Sequence, residues 1–296
     1  MIVTRNRPAE TRRAVESCLA QTAAVEVLVY DDASEEPVAE ALAGLDVTVT
    51  RMDDRVGYIP LRNRGAREAG ADVVFSLDDD AYFADADTVR RTLAVLGDRP
   101  GAFAAAVPFV ERPRPGLAAG GVGRGPGTPV RNFIGCAHAV RREEFLAAGG
   151  YRELLVHQTE ERDLCLRMLG RGRGVVVGAG LVAHDYSPTR ETGRLNFYGV
   201  RNTVLVTFLN APLWAAMPRM AVDSLQLLRY RFEWRAVPGR VRALAAGWVG
   251  CLRYAGGRAA VPAAAYRRFR SLPPHGPVLV EALPAPCGRA GGAAVG

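Results

Sequence analysis

Three consecutive aspartates, Asp78, Asp79 and Asp80, form the most chemically distinctive run in the chain. They directly follow an apolar segment at residues 73–77, whose composition predicts a buried β-strand. Three adjacent carboxylates repel one another unless a cation or hydrogen-bond donors neutralise them. Sites built from oxygen ligands select Mg²⁺ or Mn²⁺, and such an ion also binds phosphate oxygens. The run therefore predicts a divalent-metal site, with a solvated acidic turn before a helix as the alternative.

A second acidic pair, Asp31 and Asp32, follows another predicted strand at residues 25–30. Aspartate and serine are also ordinary turn and helix-cap residues, so Asp31, Asp32 and Ser34 taken alone predict only a turn. In an open α/β sheet, however, ligands bind in the crevice outside the carboxyl ends of the strands. We therefore expect both acidic clusters to converge on one crevice, where Asp32 contacts the base or ribose of a nucleotide.

Two groups later in the chain offer proton transfer and a further metal ligand. Glu160, Glu161 and Asp163 open a predicted helix, where the helix dipole alone favours carboxylates. A carboxylate held near an acceptor hydroxyl can also act as a general base. His184 follows an apolar strand and precedes Asp185, a position from which an imidazole can complete a metal shell or contact leaving phosphates. The alternative for His184 is a purely structural role.

The predicted helices and strands that must position these residues indicate an α/β fold. Short β-branched segments alternate with amphipathic helical ones through the first half of the chain, which indicates βαβ units around a mostly parallel central sheet flanked by helices. A segment rich in Arg, Pro and Gly at 111–129 predicts a mobile lid loop. The predicted strands are 2–4, 25–30, 47–52, 73–77, 102–110 and 175–177, with an apolar segment at 133–140, and the predicted helices are 12–20, 61–69, 89–96, 141–148 and 160–169.

The predicted domains are a catalytic domain over residues 1–195, a helical C-terminal extension over 196–270 and a disordered tail over 271–296.

The 296 residues carry 38 Lys and Arg against 31 Asp and Glu. All of these basic residues are arginine, which suits phosphorylated ligands or an anionic membrane surface. The five cysteines form no CxxC pair, which excludes a thiolate zinc site. No secretory signal is visible, so we expect a cytoplasmic protein, with the helical extension at the inner face of the membrane as a variant.

Seven segments with polar or glycine-rich motifs follow one another along the chain. They are VTRNRP at 3–8, VYDDAS at 29–34, VGYIPLRNRGAREA at 56–69, SLDDDAYF at 76–83, IGCAHAVRREEFLAAGGY at 134–151, TEERDLCLRMLGRG at 159–172 and VAHDYS at 182–187. Taken in order, these motifs resemble those of the GT-A, family-2-like inverting glycosyltransferases. The resemblance covers about residues 1–210, and the base position holds Glu where Asp is commoner in the family. Only two residues precede Val3, so the first strand is expected to be shorter than is usual there.

The resemblance implies a role for individual residues. The metal, Mg²⁺ or Mn²⁺, is held by Asp80 and His184, and Glu161 is the catalytic base, with Glu160 as its rival. Asp163 supports the helix start and the acceptor side. The implied partners are a nucleotide-diphosphate sugar, with uridine or thymidine as the base, and an acceptor hydroxyl. Further residues implied to contact the donor are Thr4, Arg5, Asp32 (base), Arg62, Asn63, Asp78 (ribose) and Asp79.

Two other classes of function stay open at this point. A sugar nucleotidyltransferase on a related fold usually carries a glycine-rich, lysine-bearing segment near its first strand, and TRNRPAET has neither residue. A non-catalytic basic module would bind membranes or nucleic acid through residues 219–270, where arginines alternate with Tyr230, Phe232 and Trp234. An ordinary helical subdomain explains the same segment, and we expect no nucleic acid as a partner.

Overall fold

The computed structural model describes residues 1–112, 124–185, 192–229 and 234–277. These residues group into two compact units. The first, here called the sheet unit, comprises the described residues of Met1–Gly150, Gly174–Tyr186 and Pro273–Gly296. The second, the helical unit, comprises those of Tyr151–Arg173 and Ser187–Leu272. Most of the lid loop and of the tail predicted from the sequence lies outside the described residues, and the division at residue 195 stays a prediction.

The strands of the sheet unit are numbered along the chain. They are β1 (Ile2–Thr4), β2 (Leu28–Asp31), β3 (Thr48–Arg51), β4 (Val73–Asp78), β5 (Ala81–Phe83), β6 (Ala102–Ala106), β7 (Phe109–Arg112), β8 (Pro129–Val130), β9 (Ala137–Arg141), β10 (Gly174–Val177) and β11 (Val182–Asp185). Its helices are α1 (Pro8–Leu19), α2 (Val38–Ala41), α3 (Tyr58–Glu68), α4 (Thr88–Asp98) and α5 (Arg142–Ala147).

The larger sheet has the strand order β3-β2-β1-β4-β9-β6-β10-β8. Strand β1 lies between β2 and β4 and runs parallel to both, with Ile2 opposite Val29 on one side and Leu77 on the other. Strand β9 is antiparallel to its neighbours β4 and β6. The carboxyl ends of β1, β2 and β4 therefore meet at one edge of the sheet, as the α/β interpretation predicted.

The core of this unit follows from the apolar pattern that predicted the strands. Ile2, Val29 and Leu77 are all buried beside Val15 of α1 and belong to one hydrophobic cluster. Burying a side chain of this kind stabilises the fold by about 1.5–3 kcal/mol relative to leaving it exposed. The three strands that carry the site are thus fixed by their own apolar residues.

A smaller sheet of order β5-β11-β7 completes the unit, and two of its strands differ from expectation. The single strand predicted at 102–110 is wrong, because the chain leaves the larger sheet at Val107 and Pro108 and begins β7 in the smaller one. Proline has no N–H to donate to a ladder, which explains the break. Strand β5 was not predicted, because an apolar run of only three residues after an acidic turn is too short to indicate a strand.

The helical unit contains α6 (Glu160–Gly170), α7 (Thr192–Asn210), α8 (Leu213–Arg229), α9 (Val237–Arg253) and α10 (Ala263–Ser271). Helix α7 contacts both α8 and α9. A Cβ on Gly247 of α9 would lie 2.9 Å from the backbone oxygen of Arg201, so glycine permits the close approach of α9 to α7. Within the described part of the chain, helices α7 to α10 agree with the helical pattern predicted from residue 196 to 270. Among the described residues, no helix is both long and apolar enough to cross a bilayer.

Candidate metal centre

Asp78, Asp80 and His184 form a cluster of ligand atoms at the carboxyl edge of the sheet unit. One atom from each residue lies within 4.8 Å of the others. The His184 Nε2 and Asp80 Oδ1 atoms are 3.2 Å apart, and both side chains are more than nine-tenths buried. Around an octahedral ion with ligands at about 2.1 Å, adjacent ligand atoms lie about 3 Å apart and opposite ones about 4.2 Å apart. Two carboxylates and an imidazole in this arrangement fit a small divalent cation.

The two sheets meet at this cluster and explain how residues more than 100 positions apart come together. Strand β4 ends at Asp78, and a turn at Asp79 and Asp80 leads directly into β5 of the smaller sheet. Strand β11 pairs with β5, which places His184 opposite Ala81. The Asp185 N–H donates to the Asp80 backbone oxygen at 2.8 Å. The predicted meeting of Asp80 and His184 is therefore a property of strand pairing.

Arg7 lies against the two aspartates of the turn. Its Nη1 atom donates to Asp79 Oδ1 at 2.9 Å and to Asp80 Oδ2 at 2.8 Å. Burial alone would lower the pKa of Arg7, but the two carboxylates outweigh it and raise that pKa. Burial also raises the pKa of Asp79 to about 7; Arg7 opposes this rise, whereas Asp80 and Asp78 add to it. Arg7 thus supplies part of the positive charge that the acidic run requires.

Helix α3 contributes two of the polar residues expected to contact a donor, Arg62 and Asn63. Arg62 is buried, and its Nη2 atom donates to Asp78 Oδ1 at 2.5 Å and to the Gly135 oxygen at 3.1 Å. Asn63 is also buried and lies against Gly150, where a Cβ would come within 2.5 Å of the Asn63 Oδ1 atom. Gly150 has φ +63°, so glycine serves both the turn and the close approach. Arg62 therefore orients one metal-ligand candidate directly.

Thr4 joins the two acidic clusters at the end of β1. Its Oγ1 donates to Asp79 Oδ2 at 2.9 Å, and its backbone oxygen accepts from the Asp32 N–H at 2.9 Å. The Asp32 carboxylate accepts from the backbone N–H groups of Val56 and Gly57 at 2.6–3.1 Å. The predicted convergence of both clusters is observed, and the role of Asp32 in reading a base stays a prediction.

Two residues next to these strand ends have positive φ without being glycine. Asn6 follows β1 and Ala33 follows β2, each with φ 55°. The Asn6 side chain accepts from the Glu35 N–H at 2.8 Å, and the Asn6 N–H donates to the Ser34 hydroxyl at 2.9 Å. Strained backbone of this kind persists where surrounding bonds hold it, often at functional sites.

Arg5, between Thr4 and Asn6, has a buried Nε atom without a hydrogen-bond partner in the described part of the chain.

The three predicted acidic residues of α6 belong to the helical unit. Glu160 is 1% exposed, whereas Glu161 is half-buried. Asp163 is fully buried, and its carboxylate accepts from Arg152 Nη1 at 2.7 Å and Arg167 Nε at 2.8 Å. These ion pairs give Asp163 a clear structural function at the helix start.

A strained segment leads into α6. Val156, Gln158 and Thr159 have φ values of 64°, 64° and 66° although none is glycine. The buried Asn202 of α7 places its Nδ2 atom 2.8–2.9 Å from the backbone oxygens of Leu155, His157 and Gln158. One amide thus holds the turn that precedes the candidate base.

Three residues that matter here were not singled out from the sequence. Arg7 carried a signal, since an arginine one turn from the first strand end can reach an acidic neighbour. Arg13, which pairs with Asp185 and lies 4.6 Å above the Tyr82 ring, depends on β11 lying beside β5. The contacts of Asn202 with the turn before α6 depend on helix packing, which no local sequence pattern predicts.

Fold and site together define a class. A mostly parallel sheet with an acidic turn at its carboxyl edge, beside a late histidine, is the arrangement of the GT-A fold. The resemblance stated from the motifs is confirmed in this respect.

Comparison with known proteins agrees. Residues 1–118 match the model of glycosyl transferase family 2. An uncharacterized glycosyltransferase, YwdF of Bacillus subtilis (strain 168), is 33% identical over 86 residues, which cover 28% of this chain and 32% of YwdF. The chain therefore spans about a third of that curated relative.

Solved structures extend the similarity to most of the chain. The mannosyltransferase PcManGT from Pyrobaculum calidifontis, in complex with GDP-Man and Mn²⁺, superimposes with a TM-score of 0.59 at 20% identity, covering 91% of this chain and 81% of that one. GalNAc-T7 with UDP, GalNAc and Mn²⁺ superimposes with a TM-score of 0.61 at 18% identity, covering 82% and 53%. At these identities the similarity establishes the fold.

Proposed function

We propose that the chain is an inverting glycosyltransferase that moves a sugar from a nucleotide-diphosphate donor to an acceptor hydroxyl and depends on Mg²⁺ or Mn²⁺. The observation that carries the proposal is the group of Asp78, Asp80 and His184 at the carboxyl edge of a GT-A sheet, in which Asp80 and His184 are buried and Asp78 is half-buried. Such a donor set suits a hard divalent ion, and the position suits a diphosphate.

Each residue of the centre has a defined task in this proposal. Asp78, Asp80 and His184 would hold the ion, which when bound would stabilise the negative charge that develops on the diphosphate leaving group. Arg62 keeps Asp78 oriented through the 2.5 Å contact between them. Arg7 balances the charge of Asp79 and Asp80.

Glu161 is the proposed base. It takes the proton of the acceptor hydroxyl as the hydroxyl oxygen bonds to the anomeric carbon and the bond from that carbon to the phosphate oxygen breaks. Attack from the face opposite the leaving group inverts the anomeric centre. The half-buried state of Glu161 favours it over Glu160, which is 1% exposed, because a base must reach the acceptor. Asp163 supports this helix.

The donor is proposed to carry uridine or thymidine, as the motif resemblance favours, with Asp32 as the residue that contacts the base. PcManGT was solved with GDP-Man and GalNAc-T7 with UDP, so guanosine belongs in any test. The acceptor hydroxyl belongs to a cell-surface glycan, a lipid-linked sugar or a metabolite.

A thermal-shift panel tests the proposal. Uridine, thymidine, guanosine and adenosine diphosphates are each added with and without Mn²⁺. We expect one of the first two to raise the melting temperature by several degrees only when Mn²⁺ is present. A ligand at 100 times its Kd stabilises the folded state by about 2.7 kcal/mol.

Asp80→Asn should abolish the metal-dependent shift and sugar transfer, because it removes a charged ligand at constant shape. Asp98→Asn, at an exposed position of α4, is the matched control and should behave like the parent. An unchanged shift and unchanged turnover in Asp80→Asn would refute the metal assignment. Pyrophosphate release from a nucleoside triphosphate and a sugar phosphate would instead support the nucleotidyltransferase alternative.

A further inference from the structure

Helix α8 presents an apolar stripe to solvent. Leu213, Trp214, Met217 and Leu225 are 67%, 61%, 51% and 62% exposed. The last three recur at the helical spacing that places residues on one side, whereas Met220 and Ala216 are fully buried on the other. Pro218, Ala221 and Val222 are also exposed and lie between them. Most of this side of α8 therefore has no polar group.

Helix α9 repeats the arrangement. Val241, Val249 and Leu252 are 50%, 63% and 82% exposed, with the exposed Ala245 between them. The opposite side of α9 is buried and contains Gly247, which lies against α7. The Trp248 Nε1 atom is 3.4 Å from the Ser224 hydroxyl, so α8 and α9 are neighbours within the helical unit. Two adjacent helices that both expose large apolar side chains are unusual for a surface in contact with water alone.

Positive charge accompanies the stripes. Arg229, Arg242 and Arg253 are exposed on the same two helices. Asp223 is the single carboxylate in α8 and α9; it is 4% exposed and pairs with Arg219. From residue 213 to 253 the sequence holds seven arginines and two acidic residues. A partner for this surface must therefore accept apolar side chains and offer negative charge.

We infer that the exposed stripes of α8 and α9, with their arginines, form a docking surface for an anionic lipid bilayer. Amphipathic helices with apolar residues on one side and arginines beside them lie in the plane of such an interface. Tryptophan favours the headgroup level, which fits the 61% and 80% exposure of Trp214 and Trp234. A second copy of the chain fits less well, because a symmetric contact would bring two arginine-rich surfaces together. The inference does not depend on the proposed transferase activity.

Co-sedimentation of the full chain with vesicles tests the inference. Vesicles of phosphatidylcholine alone are compared with vesicles that contain phosphatidylglycerol at low salt. We expect binding to the anionic vesicles, weaker binding at high salt, and a blue shift of tryptophan emission on binding.

Leu225→Glu combined with Leu252→Glu should reduce vesicle partitioning about tenfold or more, because each places a carboxylate on an apolar stripe. Both positions are exposed, so the fold should survive, as circular dichroism and thermal melting will verify. Ala43→Glu combined with Ala94→Glu changes the net charge equally at exposed positions of the sheet unit and should bind like the parent.

Three outcomes would overturn the inference. The first is no binding to anionic vesicles, and the second is equal binding by the folded Leu225→Glu, Leu252→Glu variant. The third is a concentration-dependent dimer that the same variant abolishes while the parent ignores lipid, which would make a second copy the occupant.

Discussion

Arg7 reduces the electrostatic repulsion between the aspartates of the candidate metal centre. Its guanidinium contacts Asp79 and Asp80 at 2.9 and 2.8 Å, and its side chain is about one-third exposed. A fixed positive charge at this distance stabilises the carboxylates and repels a divalent cation through the same electrostatic interaction. Arg7 therefore both supports the site and weakens its affinity for a metal.

Arg7→Ala is expected to lower the melting temperature in the absence of metal and to strengthen Mn²⁺ binding by about tenfold, since solvent screening reduces the larger effect expected at full burial. Calorimetric titration with Mn²⁺ measures the affinity. Arg90→Ala removes an exposed arginine of α4 that pairs with Asp87, and it should change neither quantity. Weaker Mn²⁺ binding in Arg7→Ala would show that Arg7 organises the ligands instead.

The sequence predicted the centre well where the information was local. Asp80 follows a strand whose apolar residues indicated it directly, and His184 lies in a second apolar strand, so both were expected at the site. The pairing of β5 with β11 that brings them together was not predicted. The contacts of Arg7 depend on the backbone of Asn6, whose φ of 55° redirects the chain after β1. An asparagine tolerates this conformation but does not require it, so the sequence could not predict the direction of Arg7.

Among the elements, the turn before α6 depends on α7 more than on its own residues. Three of its residues have positive φ, and the Asn202 amide lies within 2.9 Å of three of its backbone oxygens. A Cβ on Gly199 would lie 2.6 Å from Gln158 Oε1, so glycine leaves room for the turn. Helix α7 thus fixes the backbone of the turn that precedes Glu160 and Glu161.

Asn202→Ala should destabilise the fold by about 2–4 kcal/mol, because it removes the donors of several buried carbonyl groups. Hydrogen exchange should increase first at residues 155–161, and kcat should decrease more than KM changes if Glu161 is the base. Thr203→Ala, which removes a 2.7 Å bond to the Gly199 oxygen on the same helix, serves as the control. Uniform exchange across the chain would contradict a local positioning role.

Element boundaries show the same difference between local and distant information. The start of α3 at Tyr58 lies three residues before its predicted start, because Gly57 has φ +95° and its N–H bonds to Asp32 at the end of β2. The break at Pro108 could have been predicted from proline alone. Strand β5 could not, because its existence depends on pairing with β11, which lies 100 residues later.

Across the whole molecule, both units are assembled from separate stretches of sequence. The helical unit joins residues 151–173 to residues 187–272, and the buried Asp163 is one of the links. Asn210 Nδ2 of α7 donates to Asp163 Oδ1 at 2.7 Å, beside the ion pairs with Arg152 and Arg167. The sequence predicted a helical extension but gave no sign that α6 belongs with it.

Asp163→Ala is expected to lower the free energy of unfolding by about 3–5 kcal/mol, because two largely buried arginines would lose the carboxylate that pairs with both of them. Urea unfolding followed by circular dichroism measures this loss. Asp46→Ala, at an exposed position, should stay within about 0.5 kcal/mol of the parent. Full stability together with loss of turnover would instead make Asp163 part of the reaction.

The interleaved order of the two units also constrains synthesis on the ribosome. Strands β10 and β11 follow α6 in the chain, so a nascent polypeptide cannot complete either sheet until the region around His184 has emerged from the exit tunnel. Helix α6 must likewise wait for α7 before Asp163 and the turn held by Asn202 find their partners. Folding of the two units is therefore expected to be concurrent and late in translation, with apolar strands such as β4 exposed to chaperones in the interval.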